Sequence, residues 1–147
     1  MADMVSSTVA VAWVPHEGTL MVGRDSGGRP LVLSQGRPEA DDQNWRGLKA
    51  SDLLLLAAAS CATYDLVTIL RKQREPVRHV VVRCRGDQEP EPPYRFRHLH
   101  LEYHVYGPVA PQSVKRAVDL LETKYCSVVV TLKDAVTVTS EWHIHPK

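Results

Sequence analysis

The stretch that decides the fold is SDLLLLAAASCATYDLVTILRK, residues 51–72. It predicts a helix over Leu53–Arg74. Ser51 can cap it, and Asp52 sits in the first turn, where a negative charge suits the helix dipole. Arg71, Lys72 and Arg74 populate the last turn, and Pro76 stops it. The first half, LLLLAAASCA, is apolar on every side, which predicts a helix buried on every side. A chain of 147 residues has few elements with which to surround such a helix. A second copy would supply the rest, so the expected state is a homodimer with a large apolar interface.

Working outward, Thr8–Val14, Thr19–Val22 and Leu31–Leu33 read as strands. The turn-rich run Arg24-Asp25-Ser26-Gly27-Gly28-Arg29-Pro30 makes a hairpin of the last two. Gln35–Lys49 is polar and aperiodic, a loop of the length that usually carries function. Beyond the long helix, Val77–Arg85 is a strand with Val80, Val82 and Cys84 on one face. Phe96–Tyr106 alternates cleanly: Leu99, Leu101, Tyr103 and Val105 point one way, His98, His100, Glu102 and His104 the other. Pro111–Tyr125 is an amphipathic helix with an apolar stripe of Val114, Ala117, Val118 and Leu121. Ser127–Leu132 reads as a strand by propensity. Ala135–His145 is the last strand, with Val136, Val138, Trp142 and Ile144 on one side. This order indicates one α+β domain over 1–147 with mainly antiparallel sheet.

Composition narrows the function. Eighteen Lys and Arg against seventeen Asp and Glu leave a net charge of +1, which argues against a protein living on nucleic acid or anionic membrane. The longest apolar run, Leu53–Ala59, falls short of the roughly 20 residues of a membrane span. Met1-Ala2-Asp3-Met4 lacks the basic start of a signal peptide, so the expected compartment is the cytoplasm. Three cysteines do not make a disulfide scaffold. In a reducing compartment a disulfide here is more readily catalytic or redox-sensing than structural.

Cys61 lies mid-helix and Cys126 follows Lys124-Tyr125. Each alone reads as a small buried hydrophobe, and Cys84 is assigned to packing. The pair changes the weighing. The blocks DLLLLAAASCATYDLVTILRK and VKRAVDLLETKYCSVVVTL, with the spacing between their cysteines, resemble the OsmC/Ohr superfamily of organic-hydroperoxide reductases, most closely its YhfA-like branch. The resemblance implies an OsmC-like fold of two intertwined chains, with cysteine-bearing helices at the centre and sheets outside. It implies that Ser127–Leu132 is helical. It makes Cys61 the peroxidatic residue and Cys126 the resolving one, both at the dimer interface, with an organic hydroperoxide as substrate, a dithiol as reductant and no cofactor. The family's activating Arg is held by a Glu ten residues before the peroxidatic Cys. That position is Ser51 here, and the adjacent acid is Asp52, which also suits the helix dipole. The Arg is matched by Arg24 or by Arg46.

Two further groups of residues stand out. Tyr64 and Tyr125 flank the cysteines and can line a substrate pocket, although aromatics at helical spacing also suit a core. His98, His100 and His104 share a face with Glu102, and His143 and His145 lie on the polar face of the last strand. Lacking a compact spacing, they read as the solvent side of a sheet, with no metal assigned. The rival readings of the whole are a module that binds a small apolar ligand, a thiol redox sensor or sulfur carrier, and a metal-binding protein.

Overall fold

A computed structural model describes residues 2–34 and 47–147. They fall into two compact units, Met1–Leu54 and Leu55–Lys147. The first carries an antiparallel meander of β1 (Ala10–Trp13), β2 (Met21–Arg24) and β3 (Pro30–Leu33). The predicted hairpin joins β2 to β3. Its turn is built on Asp25, whose Oδ1 accepts from the Gly27 and Arg29 amides at 2.9 and 2.8 Å. Those donors, Arg29 first, hold the Asp25 carboxyl below its ordinary value.

Helix α1 spans Ala50–Lys72. Leu53 N–H already donates to the Lys49 carbonyl at 3.0 Å, so the helical ladder begins before Ser51. Ser51 is therefore inside the first turn and is not the cap. The far end closes as a Schellman motif: Arg74 takes φ 60°, its amide donates to Arg71 O, and Glu75 N–H donates to Leu70 O at 3.0 Å.

In the second unit β4 (His79–Gln88), β5 (Phe96–Tyr106) and β6 (Thr137–His145) form a sheet in that order. β4 and β5 are antiparallel, with Val82 opposite Tyr103. β5 and β6 are parallel, with Tyr103 opposite Trp142, so the sheets are antiparallel except at this pair. A parallel pair needs a crossover. Here it is α2 (Pro111–Leu120), a π-helical turn over Leu121–Tyr125, and α3 (Ser127–Lys133). The single helix predicted for Pro111–Tyr125 is thus an α-helix followed by a π turn. The Ser127–Leu132 segment is helical, as the resemblance implied and against its β propensity, because tertiary context overrides local preference.

The core follows the alternation of β5. Leu99, Leu101, Tyr103 and Val105 are buried, joined by Ala58, Ala62, Leu66 and Leu70 from α1 and by Val114, Ala117, Val118 and Leu121 from the crossover. Each buried Leu contributes about 1.5–3 kcal/mol. The α1 residues recur every four positions, so within this chain one face of the helix is buried and not the whole circumference. Leu56 is 50% exposed and Tyr64 72%. By length and composition α1 is apolar enough to cross a membrane, which the shorter uninterrupted run did not indicate; its buried stripe instead packs into this core.

Candidate active site

Cys61 comes from the middle of α1. Cys126 comes from the junction between the π turn and α3, where its amide donates to Leu121 O at 2.9 Å and its own carbonyl accepts from Val130. It is the N-cap residue of α3, not the last residue of the amphipathic helix. The π turn matters: one extra residue in the ladder swings the chain so that the next side chain faces α1. The structure brings the two sulfurs and a carboxylate oxygen of Asp65 within 4.8 Å of one another. All three cysteines are free thiols. Cys61 is half-buried and Cys126 fully buried.

Cys61 Sγ has two polar neighbours. Its S–H faces Asp65 Oδ2 at 4.0 Å, one helical turn on, and Ser127 Oγ lies at 4.0 Å. Burial pushes the Cys126 thiol up to about 12. The neighbouring Cys61 and Asp65 add to this, and the Val129 amide opposes it. Burial also raises Asp65 and Cys84 above their ordinary values. Cys84 packs against the core from β4, as assigned. Asp65 and Ser127 were missed as site residues. The signal for Asp65 was its i+4 spacing from Cys61, which puts both on one helix face; the place of Ser127 depends on the fold.

Asp65 also lines a cavity of about 480 Å³, together with Tyr64, Ile69, Lys72, Arg116 and Tyr125; Cys61 and Cys126 are not among its lining residues, and Asp65 is what links it to the thiols. Tyr64 is 72% and Tyr125 51% exposed, so neither is a core residue. Both stand on the cavity wall because they project from α1 and the π turn away from the sheet. Gln73 lines the same cavity, and its buried Oε1 has no hydrogen-bond partner among the described residues.

Arg24 and Asp52 each have a partner close in sequence. Arg24 ends β2 in the first unit, and its Nη1 donates to Gly28 O at 3.1 Å. Asp52 lies in the first turn of α1 with Lys49 Nζ at 3.7 Å, a helix-start arrangement. Arg46 falls outside the described residues. His98, His100 and His104 lie on the face of β5 opposite the core.

The fold finds its counterpart among known proteins. The model of the OsmC-like protein family matches residues 41–141. The chain belongs to the OsmC-like family. Protein YhfA of Escherichia coli K12 is 30% identical over 135 residues, 91% of this chain and 95% of YhfA. A hypothetical protein from Aquifex aeolicus VF5 has a TM-score of 0.84 at 22% identity, covering 98% of this chain and 99% of its own. An organic hydroperoxide resistance protein OsmC from Legionella pneumophila has a TM-score of 0.70 at 14% identity, covering 96% and 98%. At these identities the two solved structures share the OsmC-like fold with this protein, an α+β arrangement of two small sheets and three helices.

Proposed function

We propose that this OsmC-like protein is a thiol-dependent peroxidase of organic hydroperoxides, with Cys61 as nucleophile and Cys126 as resolving thiol. The observation that carries the reading is the meeting of a half-exposed and a buried thiol within 4.8 Å. A disulfide needs its sulfurs at about 2.05 Å, so side-chain rotation has only a short gap to close.

In the first step the Cys61 sulfur attacks the terminal oxygen of the hydroperoxide. The O–O bond breaks, the alcohol leaves with a proton, and Cys61 becomes a sulfenic acid. Asp65 stands where it can accept the Cys61 proton. In the second step the Cys126 sulfur attacks the sulfenic sulfur, the S–S bond forms and water leaves. The elevated Cys126 keeps its proton until then, so the departing hydroxyl finds it at hand. A dithiol supplies two electrons and two protons through a mixed disulfide and restores both thiols. Tyr64, Tyr125 and Ile69 give the cavity an apolar wall for the alkyl part of the substrate.

The same reading takes residues 1–147 as one functional domain in a cytoplasmic homodimer. The exposed Leu56 and Tyr64 of α1 support the dimer, as apolar surface that a second copy would cover. A second reading, a module that binds a small apolar ligand, is favoured by the cavity and its unpartnered Gln73 oxygen.

Titrating the reduced protein with substoichiometric cumene hydroperoxide, with hydrogen peroxide in parallel, separates the two. Peptide mass spectrometry should find a Cys61–Cys126 disulfide, formed faster with the organic peroxide and absent from Cys61→Ser. Thiols that survive as long as free cysteine would sink the enzyme and leave the binding module. Arg24→Ala and Asp52→Asn in the same assay test the roles that the resemblance gives those residues.

A further inference from the structure

The side of the β4–β5–β6 sheet away from the core holds an unusual concentration of metal-binding donors. The parallel register sets Glu102 opposite Glu141 and His104 opposite His143, on adjacent same-face rungs of β5 and β6. Neighbouring strands lie about 4.8 Å apart and same-face residues about 6.6 Å apart along a strand. Two carboxylates and two imidazoles therefore occupy the corners of a small rectangle. One donor atom each from Glu102, Glu141 and His143 already lie within 4.8 Å of one another. His104 joins them through Glu102, with Nε2 at 2.5 Å from Oε1, and its ring stacks on that of His143 at 5.1 Å.

We propose that this rectangle binds a divalent transition-metal ion of the zinc class, with Glu102, His104, Glu141 and His143 as ligands. The site is independent of the thiol chemistry. The sequence alone assigned this face to solvent, because the β5 donors have no closed spacing of their own; the parallel docking of β6 supplies the missing half.

Three observations favour a cation there. First, like charges directly opposite on paired strands repel. Glu102 and Glu141 stand so, and they are offset mainly by the other two corners of the rectangle, His104 at 2.5 Å from Glu102 and His143 at 3.2 Å from Glu141, with Arg83 at 3.7 Å and His100 at 3.8 Å farther out. Second, the donor set of imidazole and carboxylate is the one zinc accepts, at about 2.0–2.2 Å per bond. Tetrahedral neighbours at that bond length lie about 3.4 Å apart, so the triad closes by rotation of side chains that are partly or well exposed. Third, the supporting contact exists. His104 Nδ1 lies 2.9 Å from His145 Nε2, and His145 stacks on His104 and Tyr106. The second ring nitrogen of a ligating histidine is characteristically held by an acceptor, which fixes the ring; here an imidazole nitrogen stands where a carboxylate, carbonyl or water is usual. On binding, the ion takes the place of the proton between His104 Nε2 and Glu102 Oε1, and the neutral imidazole holds its single proton at Nδ1, donating to His145 Nε2.

The test uses the full chain stripped with a chelator and titrated calorimetrically with Zn²⁺, then by absorbance with Co²⁺. The Cys61→Ser/Cys126→Ser protein removes the one competing cluster found among the described residues, Cys61–Asp65–Cys126. That protein should bind one ion per chain, and its Co²⁺ form should lack the thiolate charge-transfer band. His143→Ala and Glu141→Gln, both at exposed positions, should each weaken binding by roughly 100-fold, the upper end of what even outer-shell losses cause. Their unchanged thermal unfolding without metal would show that the fold is intact. Failure of the thiol-free protein to bind, or binding that both variants leave unchanged, overturns the proposal.

Discussion

The Tyr103 hydroxyl donates to Glu122 Oε1 at 2.9 Å, tying the buried face of β5 to the π turn that delivers Cys126. Tyr103 is wholly buried, and burial together with the Glu122 carboxylate holds its phenol far above the ordinary tyrosine range. Lys133 holds Glu122 from the other side, Nζ donating to its carbonyl at 2.8 Å. Tyr103→Phe removes a hydrogen bond that ties this turn to the sheet. It should lower stability by about 1–3 kcal/mol, the penalty of a charged acceptor left without its donor, as read by urea unfolding. Because the turn places Cys126, disulfide formation should slow in the same variant.

Glu75 plays a comparable part at the other end of the crossover. Helix α2 begins at Pro111 with no capping side chain of its own. The Glu75 carboxylate, brought there by the Schellman turn, accepts from Ala110 N–H at 3.1 Å and from Ser113 Oγ at 2.5 Å. It caps the helix from a distant part of the chain. Glu75→Ala should cost about 1 kcal/mol, the usual worth of a cap, while Glu75→Gln should recover part of it in thermal unfolding.

Two acids in the thiol cluster are raised by folding, and the sign is the same for both. A raised acid holds its proton in the native state after the unfolded chain has lost it, so stability falls as pH rises through that window. For Cys126 the window runs from about 8.5, the unfolded thiol value, up to about 12 in the folded protein. Denaturation midpoints should therefore decline across it, and less so in Cys126→Ser. For Asp65 the loss begins at about 3.9 and grows as pH rises toward its elevated folded value. Asp65→Asn should thus be more stable than the parent at neutral pH, and the advantage should vanish in acid. The same change should let Cys126 titrate lower, seen in ultraviolet thiolate absorbance. It should also slow consumption of cumene hydroperoxide by roughly 100-fold, the low end of what a proton acceptor contributes.

Oxidation offers a separate handle. A Cys61–Cys126 bond would close a long loop holding β4, β5 and α2. Such a loop stabilises by roughly 4 kcal/mol in the chain-entropy account. The peroxide-treated protein should melt higher than the reduced one, and Cys84→Ser should keep the difference. An unchanged midpoint after complete oxidation would mean that the bond strains the native geometry.

Much of this molecule is written locally in its residues. The alternation from Leu99 to Val105 declares which face of β5 is buried, because the side-chain period of a strand leaves no other choice. The stripe of Val114, Ala117, Val118 and Leu121 does the same for α2. What local patterns do not carry is pairing. Nothing in Ala135–His145 says that it lies parallel to β5, so, although His143 and His145 could be seen as candidates to join the β5 histidines, the register that sets Glu141 beside Glu102 and His143 beside His104 was not legible. Nor does the period of Pro111–Tyr125 announce a π turn, which depends on how Leu121 and Glu122 are held from outside. The SVVVTL segment shows the converse, a strand by composition that the surrounding core makes helical. The thiol pair was legible only through family likeness, since 65 positions of separation predict no contact.

The parallel docking of β6 has a consequence for how the molecule assembles. β4 and β5 can zip together through a short link as soon as both exist, but β6 must wait until α2, the π turn and α3 have crossed the sheet. Contacts so distant in sequence form slowly. Until they form, the free edge of β5 exposes unpaired backbone groups to any passing strand. The crossover that positions Cys126 therefore also sets the interval during which a newly made chain is most prone to aggregate, and variants that weaken it should show their defect in soluble yield before they show it in catalysis.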